Sequence, residues 1–398
     1  MRVPNVPRAV INLAGVRLRR AERHWRTAER VLSRVGRQAR RQQERLAQAP
    51  FLARAGIRRS CAAIERSRKR MVRFDDHVMA PYRIERRVKR TLRREAAGSR
   101  PIIVGPWTSE VGYEALYWIP FVTWAADRYG VGPDRVIALS RGGTEAWYHG
   151  VAGRYVEIFD LVEPAEFARQ GAARRERGDQ KQMVLSEFDR ELVRLATSRM
   201  GIRDAAIWHP GLMYQMFRAF WYGDRSLDFL LRHTDFRRVQ RSESPAVLLP
   251  PEYVAMKFYT GPAIPNTDAN HTLLHDLVRR VAARTPVVML DTSWSVDEHR
   301  DYSFEQIPGV TTLRSSMDPK TNLGLQTQVI AGARQFIGTC GGLTWLAPLL
   351  GVDTLAVYED DRYLTAHLYV AKHAYRRTGS ARLSTFNLKA LRAMERFS

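Results

Sequence analysis

The chain has 398 residues, of which 64 are lysine or arginine and 41 are aspartate or glutamate, so its formal net charge is +23. Hydrophobic residues make up 45% of it, which is ordinary for a packed globule and argues against wholesale disorder. The two cysteines, Cys61 and Cys340, lie far apart, which excludes a disulfide framework or a cysteine-based zinc cluster and fits a reducing compartment.

The positive charge is concentrated at the N-terminus. Residues 1–100 hold 29 lysines and arginines against 8 acidic residues, whereas the remaining 298 residues hold 35 against 33. We therefore predict a basic, all-helical arm over residues 1–97 in front of a near-neutral body. No apolar run reaches the ~20 residues that span a bilayer, and the first apolar stretch is short and interrupted by arginine, unlike a secretory signal. We expect a cytoplasmic protein, either free or peripheral at the inner face of the plasma membrane.

Apolar residues in the arm recur at spacings of 3 and 4 from Ile11 to Leu46, which predicts one long helix with a heptad stripe. Further helices are predicted over 52–72 and 83–97, with a break near Pro81. Three interpretations stay open. The arm packs on its own body or on a second copy, giving a homodimer through the 11–46 helix; it lies on an anionic membrane surface; or it binds nucleic acid. Sparse aromatic residues and the lack of a recognition motif argue against the third.

After the arm, short apolar runs alternate with helical stretches in two series. In the first series, strands are predicted at 102–104, 135–139, 155–159 and 205–208, and helices at 111–129, 166–200 and 211–233. In the second, strands are predicted at 253–258, 286–290, 310–313, 335–338 and 353–358, and helices at 270–284, 322–333, 345–350 and 384–397. The alternation predicts an α/β protein with two Rossmann-like domains, 98–240 and 246–375, facing a cleft, followed by a C-terminal helix within 381–398. Ligands of such sheets bind at the carboxyl ends of the strands.

The segment Gly338-Thr339-Cys340-Gly341-Gly342-Leu343-Thr344 is the most informative of these strand ends. Its glycines let the backbone approach a ligand closely, and a helix from Leu343 would offer N–H groups to a pyrophosphate. The alternative is a glycine turn needed only for tight strand-to-helix packing. The segment matches neither GxGxxG nor GxxxxGK[ST], which argues against NAD binding and against a P-loop NTPase.

Residues 331–352 are similar to the donor-site segment of GT-B glycosyltransferases of the heptosyltransferase-like kind. That family has a strand, then an Asp-Ser-Gly-Pro-type loop, and then a helix that contains His-Leu-Ala. A Gly-Val pair follows the helix. Here Thr339-Cys340-Gly341-Gly342 takes the place of the loop and Thr344-Trp345-Leu346-Ala347 the helix start, so the family's Asp and His are missing. Residues 102–120 also resemble the family's first strand, loop and helix. The resemblance implies a GT-B-like fold that transfers a sugar from a nucleotide-sugar donor to a polysaccharide or lipid-linked glycan.

An inverting transferase needs a general base that deprotonates the acceptor hydroxyl. Glu110 and Glu114 follow the first strand and are the candidates, and Glu110 is favoured because it lies in the loop. Either carboxylate can instead satisfy a helix N-terminus. His209, at another strand end, is a candidate second acid–base group or a structural histidine.

Donor-binding candidates share one property, a place at or just after a strand end of the second series. They are Lys257, Thr260, Gly261, Asp291, Thr292, Thr339, Gly341, Gly342 and Thr344. Lys257 can equally be a solvent-facing group on an edge strand, and Asp291 and Thr292 can be helix caps. Asn322 and Gln326 are one helical turn apart and are expected to cap or cover the cleft.

Arg141 and Trp107 are the acceptor-binding candidates. The planar fork of Arg141 suits an anionic acceptor such as a sugar acid or a lipid phosphate, and Trp107 belongs to a set of aromatic residues that can stack on sugars, although most such residues are core. No metal-binding motif is present in the sequence, so we expect no metal and no cofactor apart from the nucleotide-sugar substrate. Two other interpretations are a non-catalytic interaction protein with a degenerate sugar-nucleotide fold and a coiled-coil arm, and a nucleic-acid-associated enzyme.

Overall fold

In the computed structural model the contacts divide the chain into two units, residues 1–87 and 88–398. The structure describes scattered positions between residues 27 and 77 and then residues 79–178, 181–240, 247–293, 299–362 and 364–390. Most of the predicted 11–46 stripe and of the 52–72 helix lies outside these described residues. Helix α1 (Ala80–Ala96) takes the place of the helix predicted at 83–97. Pro81 lies in its first turn, where the missing N–H costs no helical hydrogen bond.

A four-stranded sheet forms the first lobe, which we define as residues 88–240. Its strands are β1 (Ile102–Val104), β2 (Val136–Ser140), β3 (Arg154–Glu157) and β4 (Ala206–Trp208). All pairs are parallel and the order is β3-β2-β1-β4. Every residue of β1 and β2 is buried, which is why both strands read as continuous apolar runs in the sequence.

Helices cover the two faces of this sheet. They are α2 (Val111–Tyr113), a π-helical segment (Glu114–Trp118), α3 (Ile119–Tyr129), α4 (Pro164–Glu176), α5 (Glu187–Arg199), α6 (Pro210–Trp221) and α7 (Leu227–Leu231). Ile103, Leu139 and Val156 of the strands pack with Phe167 and Leu192 of α4 and α5 in one apolar cluster. Since α4 and α5 carry this cluster, they cover one face of the sheet.

The second lobe, residues 247–390, holds a six-stranded sheet. Its strands are β5 (Val254–Lys257), β6 (Val287–Met289), β7 (Val310–Thr312), β8 (Gln335–Thr339), β9 (Thr354–Tyr358) and β10 (Leu383–Asn387). They pair in parallel in the order β10-β9-β8-β5-β6-β7. Its helices are α8 (Asp268–Ala282), α9 (Asn322–Gly332), α10 (Leu343–Leu346) and α11 (Thr365–Thr378).

Two parallel α/β sheets confirm the predicted fold class. The predicted C-terminal helix is wrong over 383–387, because these residues form β10 and pair with β9 from Leu383↔Thr354 to Asn387↔Tyr358. An open sheet edge supplies hydrogen-bond partners that a local helical pattern does not reveal. Residues 391–398 lie outside the described part of the chain.

The strand order of the second sheet reverses direction between β5 and β8. From β5 the chain proceeds to β6 and β7 on one side, whereas β8, β9 and β10 are laid down on the other. Such a reversal opens a crevice at the carboxyl ends of the two central strands. The segments that follow β5 and β8 therefore occupy the position where ligands of open α/β sheets bind. Among the described helices, none is both long and apolar enough to span a bilayer.

Candidate functional site

A cavity of about 580 Å³ lies between the two lobes. Its walls come from the segments after β1 and β2 in the first lobe and from those after β5, β6 and β8, together with α9 and the start of α11, in the second. Glu110 lines it from the first lobe, and Lys257, Gly341 and Gly342 line it from the second. The structure therefore brings together the base candidate and the glycine segment.

Glu110 occupies the loop between β1 and α2. It is the N-cap residue of α2, but its carboxylate makes no capping hydrogen bond to the helix, so the side chain is free for another role. It accepts instead from Lys181, with Nζ 2.7 Å from Oε1, and its side chain is half-exposed. The Lys181 Nζ also lies 3.9 Å from the ring centroid of Tyr113, an arrangement that favours a cation. Glu110 is thus a carboxylate held at the cavity wall by one flexible cation.

Glu114 does not reach the cavity. It begins the π-helical segment and is fully buried, and its Oε1 accepts from Ser140 Oγ at 2.5 Å and Tyr148 OH at 2.7 Å. Burial raises the pKa of this carboxyl from 4.5 to about 7. Of the two base candidates, only Glu110 faces the cleft.

His209 and Trp107 do not line the cavity, which agrees with the alternatives of a structural histidine and a core aromatic residue. His209 Nδ1 accepts from Gly211 N at 3.0 Å and caps α6, and its Nε2 lies 3.3 Å from Asp189 Oδ2. Trp107 is fully buried, with its ring stacked on those of Trp118 and Tyr214 at centroid distances of 6.0 and 6.1 Å. Both residues follow strands as predicted, but packing turns their side chains into the first lobe.

Lys257 ends β5, a central strand of its sheet, so it is not an edge-strand solvent group. Its Nζ donates to Leu290 O at 2.8 Å and to Asp301 Oδ2 at 2.9 Å. Thr292 donates to the same Asp301 oxygen from its backbone N (2.8 Å) and its Oγ1 (3.0 Å). Lys257, Thr292 and Asp301 all line the cavity, so one ordered ion pair presents a cation to it.

Three other donor-side candidates hold the fold instead of lining the cavity. Asp291 is buried and bound by Thr312 Oγ1 at 2.5 Å and by Arg314 at 2.7 Å. Thr260 Oγ1 accepts from Arg300 N, and Thr339 Oγ1 accepts from Tyr259 N at 3.0 Å.

Gly261 does line the cavity. Its N–H donates to Ile264 O at 3.0 Å, so this amide is already used inside its own turn. Gly261 can therefore contribute to donor binding through its place in the cavity wall but not through its N–H group.

Backbone conformation explains the glycines at 341 and 342. Gly341 has φ +137° and Gly342 φ +46°, and a Cβ on Gly341 would lie 2.8 Å from the Tyr259 hydroxyl oxygen, so a side chain at this position would be strained. Thr344 Oγ1 accepts from Gly341 N at 2.8 Å, so Thr344 supports the loop from the protein side. Helix α10 is one turn long and continues as the 3₁₀ turn Ala347–Leu350, so the helical segment begins two residues before the helix predicted over 345–350 and ends at the same residue.

Cys340 lies within this glycine segment and lines the cavity. Its side chain is buried, and burial raises the pKa of its thiol to about 12. The thiol is therefore protonated at neutral pH.

The two lobes touch beside the glycine segment. A Cβ on Gly112 of α2 would lie 2.8 Å from Gly342 N. His367 of α11 lies between two tyrosines of the first lobe, with Nδ1 2.5 Å from Tyr117 OH and Nε2 3.3 Å from Tyr113 OH. Burial lowers the pKa of His367 to about 4, so the ring is neutral at pH 7. Sequence analysis missed both His367 and Lys181, because neither belongs to a local motif.

Arg141 follows β2 and lines the cavity. Asn322 and Gln326 of α9 line the same cavity from the second lobe. Arg141 is 5% exposed and donates from NH2 to Ser109 O at 3.0 Å. Within the described part of the chain, no group of three or more histidine, cysteine or acidic side chains is placed to hold a metal ion. Metal independence stays a prediction.

No family model matches this chain, and a search of curated proteins found no match. Solved structures are similar to it. The heptosyltransferase II of Escherichia coli, an ADP-heptose lipopolysaccharide heptosyltransferase, is 15% identical with a TM-score of 0.38 and covers 65% of this chain and 85% of its own. A family 9 glycosyltransferase of Veillonella parvula is 11% identical, with a TM-score of 0.39. The match covers 74% of this chain and 89% of that structure. The E. coli heptosyltransferase WaaC with ADP is 14% identical, with a TM-score of 0.35. The match covers 75% of this chain and 99% of that structure.

These structures belong to the family that residues 331–352 resemble. At such low identity and TM-score the likeness carries no weight for substrate or mechanism.

Proposed function

We propose that the protein is a glycosyltransferase that moves a sugar from a nucleotide-sugar donor to a hydroxyl of a polysaccharide or lipid-linked glycan, without a metal ion. One observation carries the proposal. A single cavity between two Rossmann-like lobes is lined by a half-exposed carboxylate on one side and by a cation and a glycine segment on the other. The first can accept a proton, and the second can hold a departing diphosphate.

Glu110 is the proposed general base. Proton transfer from the acceptor hydroxyl to its carboxylate raises the nucleophilicity of the acceptor oxygen, which then attacks the anomeric carbon of the donor. The ion pair with Lys181 orients the carboxylate along the cavity wall. Because Lys181 bonds to Oε1, Oε2 is the oxygen that we assign to the acceptor hydroxyl.

Lys257 and the glycine segment are the proposed diphosphate site. Asp301 and the Leu290 carbonyl hold the Lys257 ammonium in place, so little reorganisation is needed when negative charge develops on the leaving group. Gly341 and Gly342 present a backbone free of side chains next to it. β5 and β8, which carry these groups, flank the point where the strand order reverses.

Binding of a nucleoside diphosphate to the full chain tests the donor side. We expect at least one of UDP, GDP, ADP and TDP to raise the thermal unfolding midpoint, since a ligand at 100 times its Kd adds about 2.7 kcal/mol of stability. Lys257→Met should weaken that binding. No response to any of the four nucleotides would contradict the proposal.

Glu110→Gln tests the base. It should lower turnover by roughly a hundredfold or more while nucleotide binding is kept. The matched control is Glu191→Gln, which also removes a carboxylate from an ion pair, here an exposed one with Arg194 on α5. Equal turnover in the two variants would show that Glu110 is not the base.

A further inference from the structure

Arg141 is a buried cation that forms no ion pair with any described residue, and its Cζ lies 5.6 Å from the ring centroid of Phe167. Its side chain lines the cavity, is 5% exposed and makes one hydrogen bond, from NH2 to the Ser109 carbonyl. Its Nε is buried and has no partner. Across the described residues no carboxylate lies within ion-pair distance of it. Burying an unpaired charge is costly, so the guanidinium has unused capacity to bind an anion.

The carboxylates nearest along this wall are already engaged. Glu114 accepts from Ser140 and Tyr148, and burial raises its pKa so far that it is only partly ionised at neutral pH. Glu157 accepts from the backbone N–H groups of Gly142 and Gly143 at 3.0 and 2.9 Å. A second, half-buried arginine, Arg174, also bonds to the loop before Glu110, through Thr108. Neither Glu114 nor Glu157 therefore forms an ion pair with Arg141.

The second lobe supplies a polar group to the same cavity. Gln326 of α9 is 2% exposed, and its Oε1 is buried without a hydrogen-bond partner. Helix α9 touches the loop that carries Arg141, because Gly324 N donates to Gly142 O at 2.8 Å and a Cβ on Gly142 would lie 3.2 Å from Asn322 Oδ1. Two cavity-lining residues from opposite lobes thus each carry one polar atom without a partner, Arg141 Nε, a donor, and Gln326 Oε1, an acceptor.

We propose that Arg141 and Gln326 form a subsite for an acidic sugar, with a carboxylate or phosphate on Arg141 and a sugar hydroxyl donating to Gln326. A planar guanidinium binds either oxyanion through paired N–H groups, whereas an amide oxygen needs a hydroxyl or N–H donor. A simple anion satisfies only the first of these groups. This inference rests on the proposed function, in which the acidic sugar is part of the acceptor. Since the two residues belong to different lobes, the subsite is complete only when the lobes are in contact.

Calorimetric titration of the full chain with D-glucuronate, D-glucose 6-phosphate and D-glucose tests the subsite. We expect one or both acidic sugars to bind and glucose to bind at least roughly tenfold more weakly, as for a lost hydrogen bond to a charged group. The two acidic sugars distinguish a carboxylate from a phosphate. Arg141→Lys, which keeps the charge but loses the fork, and Gln326→Leu, which removes the acceptor, should each weaken acidic-sugar binding roughly tenfold or more.

Arg174→Lys is the matched control. Arg174 supports the same loop but does not line the cavity, so its variant should keep acidic-sugar binding. The subsite is overturned if glucose binds as well as both acids, if Arg141→Lys binds them like the parent chain, or if Arg174→Lys loses as much affinity. Should Arg141→Lys fail to fold, Gln326→Leu decides in the same way.

Nucleoside diphosphate binding, measured on the same variants, separates the two proposals. It should be unchanged in Arg141→Lys, and an equal loss of nucleotide affinity would assign Arg141 to the donor diphosphate and overturn the subsite. If the acidic sugars bind as expected but no nucleotide binds, the proposed function fails while the subsite stands.

Discussion

Replacing Glu114 by glutamine should improve the stability of the protein, relative to that of the parent chain, as the pH rises from 5 to 8. Glu114 is fully buried, and its pKa rises from 4.5 to about 7 on folding because burial disfavours the charged carboxylate. A group whose folded pKa is raised contributes stability that is present below about pH 4.5 and lost as the pH rises through 7. From pH 5 to pH 8 the parent chain should therefore lose about 2.5 kcal/mol of unfolding free energy through this one group.

The glutamine variant does not titrate and keeps both hydrogen bonds to its oxygen. Its new NH₂ group replaces Oε2, which has no partner in the structure, so the substitution has a fixed cost of about 1–3 kcal/mol for a buried unpaired donor. That cost is independent of pH and cancels in a comparison between two pH values. All other titrating groups are the same in both proteins, so their contributions cancel as well.

Urea unfolding of both proteins at pH 5, 6, 7 and 8 measures the difference. We expect the stability of the variant relative to the parent to improve by about 2.5 kcal/mol over this range, with most of the change between pH 5 and pH 7. Glu191→Gln is the control and should show no such gain, because Glu191 is exposed and the hydrogen bond from Arg194 lowers its pKa. Parallel pH profiles for Glu114→Gln and the parent would refute the burial argument.

Three further predictions concern the second lobe and the arm. Gly341→Ala should destabilise the fold by about 1–3 kcal/mol and weaken nucleotide binding. The control Gly130→Ala, at φ +67° with no atom within 4 Å of the new Cβ, should leave nucleotide binding intact. Equal losses of nucleotide affinity in the two variants would contradict this prediction. His367→Gln should reduce the loss of stability as the pH falls from about 6.5 towards 4, because the ring has to lose its proton when the chain folds. If urea unfolding shows the same loss of stability below pH 6.5 in the variant and the parent, the ring is not buried in its neutral form. If the arm lies on anionic membranes, the full chain should float with phosphatidylserine vesicles at low salt and not with phosphatidylcholine vesicles, and equal flotation would exclude that interpretation.

Sequence patterns located the strand ends but not the directions of the side chains there. The apolar runs at 102–104 and 335–339 form buried parallel strands, and the segments after them line the cleft as predicted. Glu110 and Glu114 read alike in the sequence because they lie one turn apart. The π-helical segment that starts at Glu114 changes the helical phase, and only the structure shows that Glu114 points at β2.

Long-range partners explain the remaining differences. Asp291 resembles a ligand-binding strand end, but Arg314, 23 residues later, binds its carboxylate. His367 reaches Tyr117 across a separation of 250 residues. Neither contact leaves a local pattern, so no spacing rule identifies it. The strand β10 was missed for the same reason, because its partner strand lies about thirty residues earlier in the chain and a short run of mixed polarity fits both a helix and a strand.

The buried thiol beside the glycine segment gives the cleft a natural reporter. Cys61 is the only other cysteine in the chain, so Cys61→Ser would leave a single alkylation site at position 340. A protonated, enclosed sulfur reacts slowly, and any opening that admits solvent and a reagent speeds its modification. Following the rate of iodoacetamide labelling, with and without a nucleoside diphosphate, would therefore report how often the ligand-facing loop is exposed.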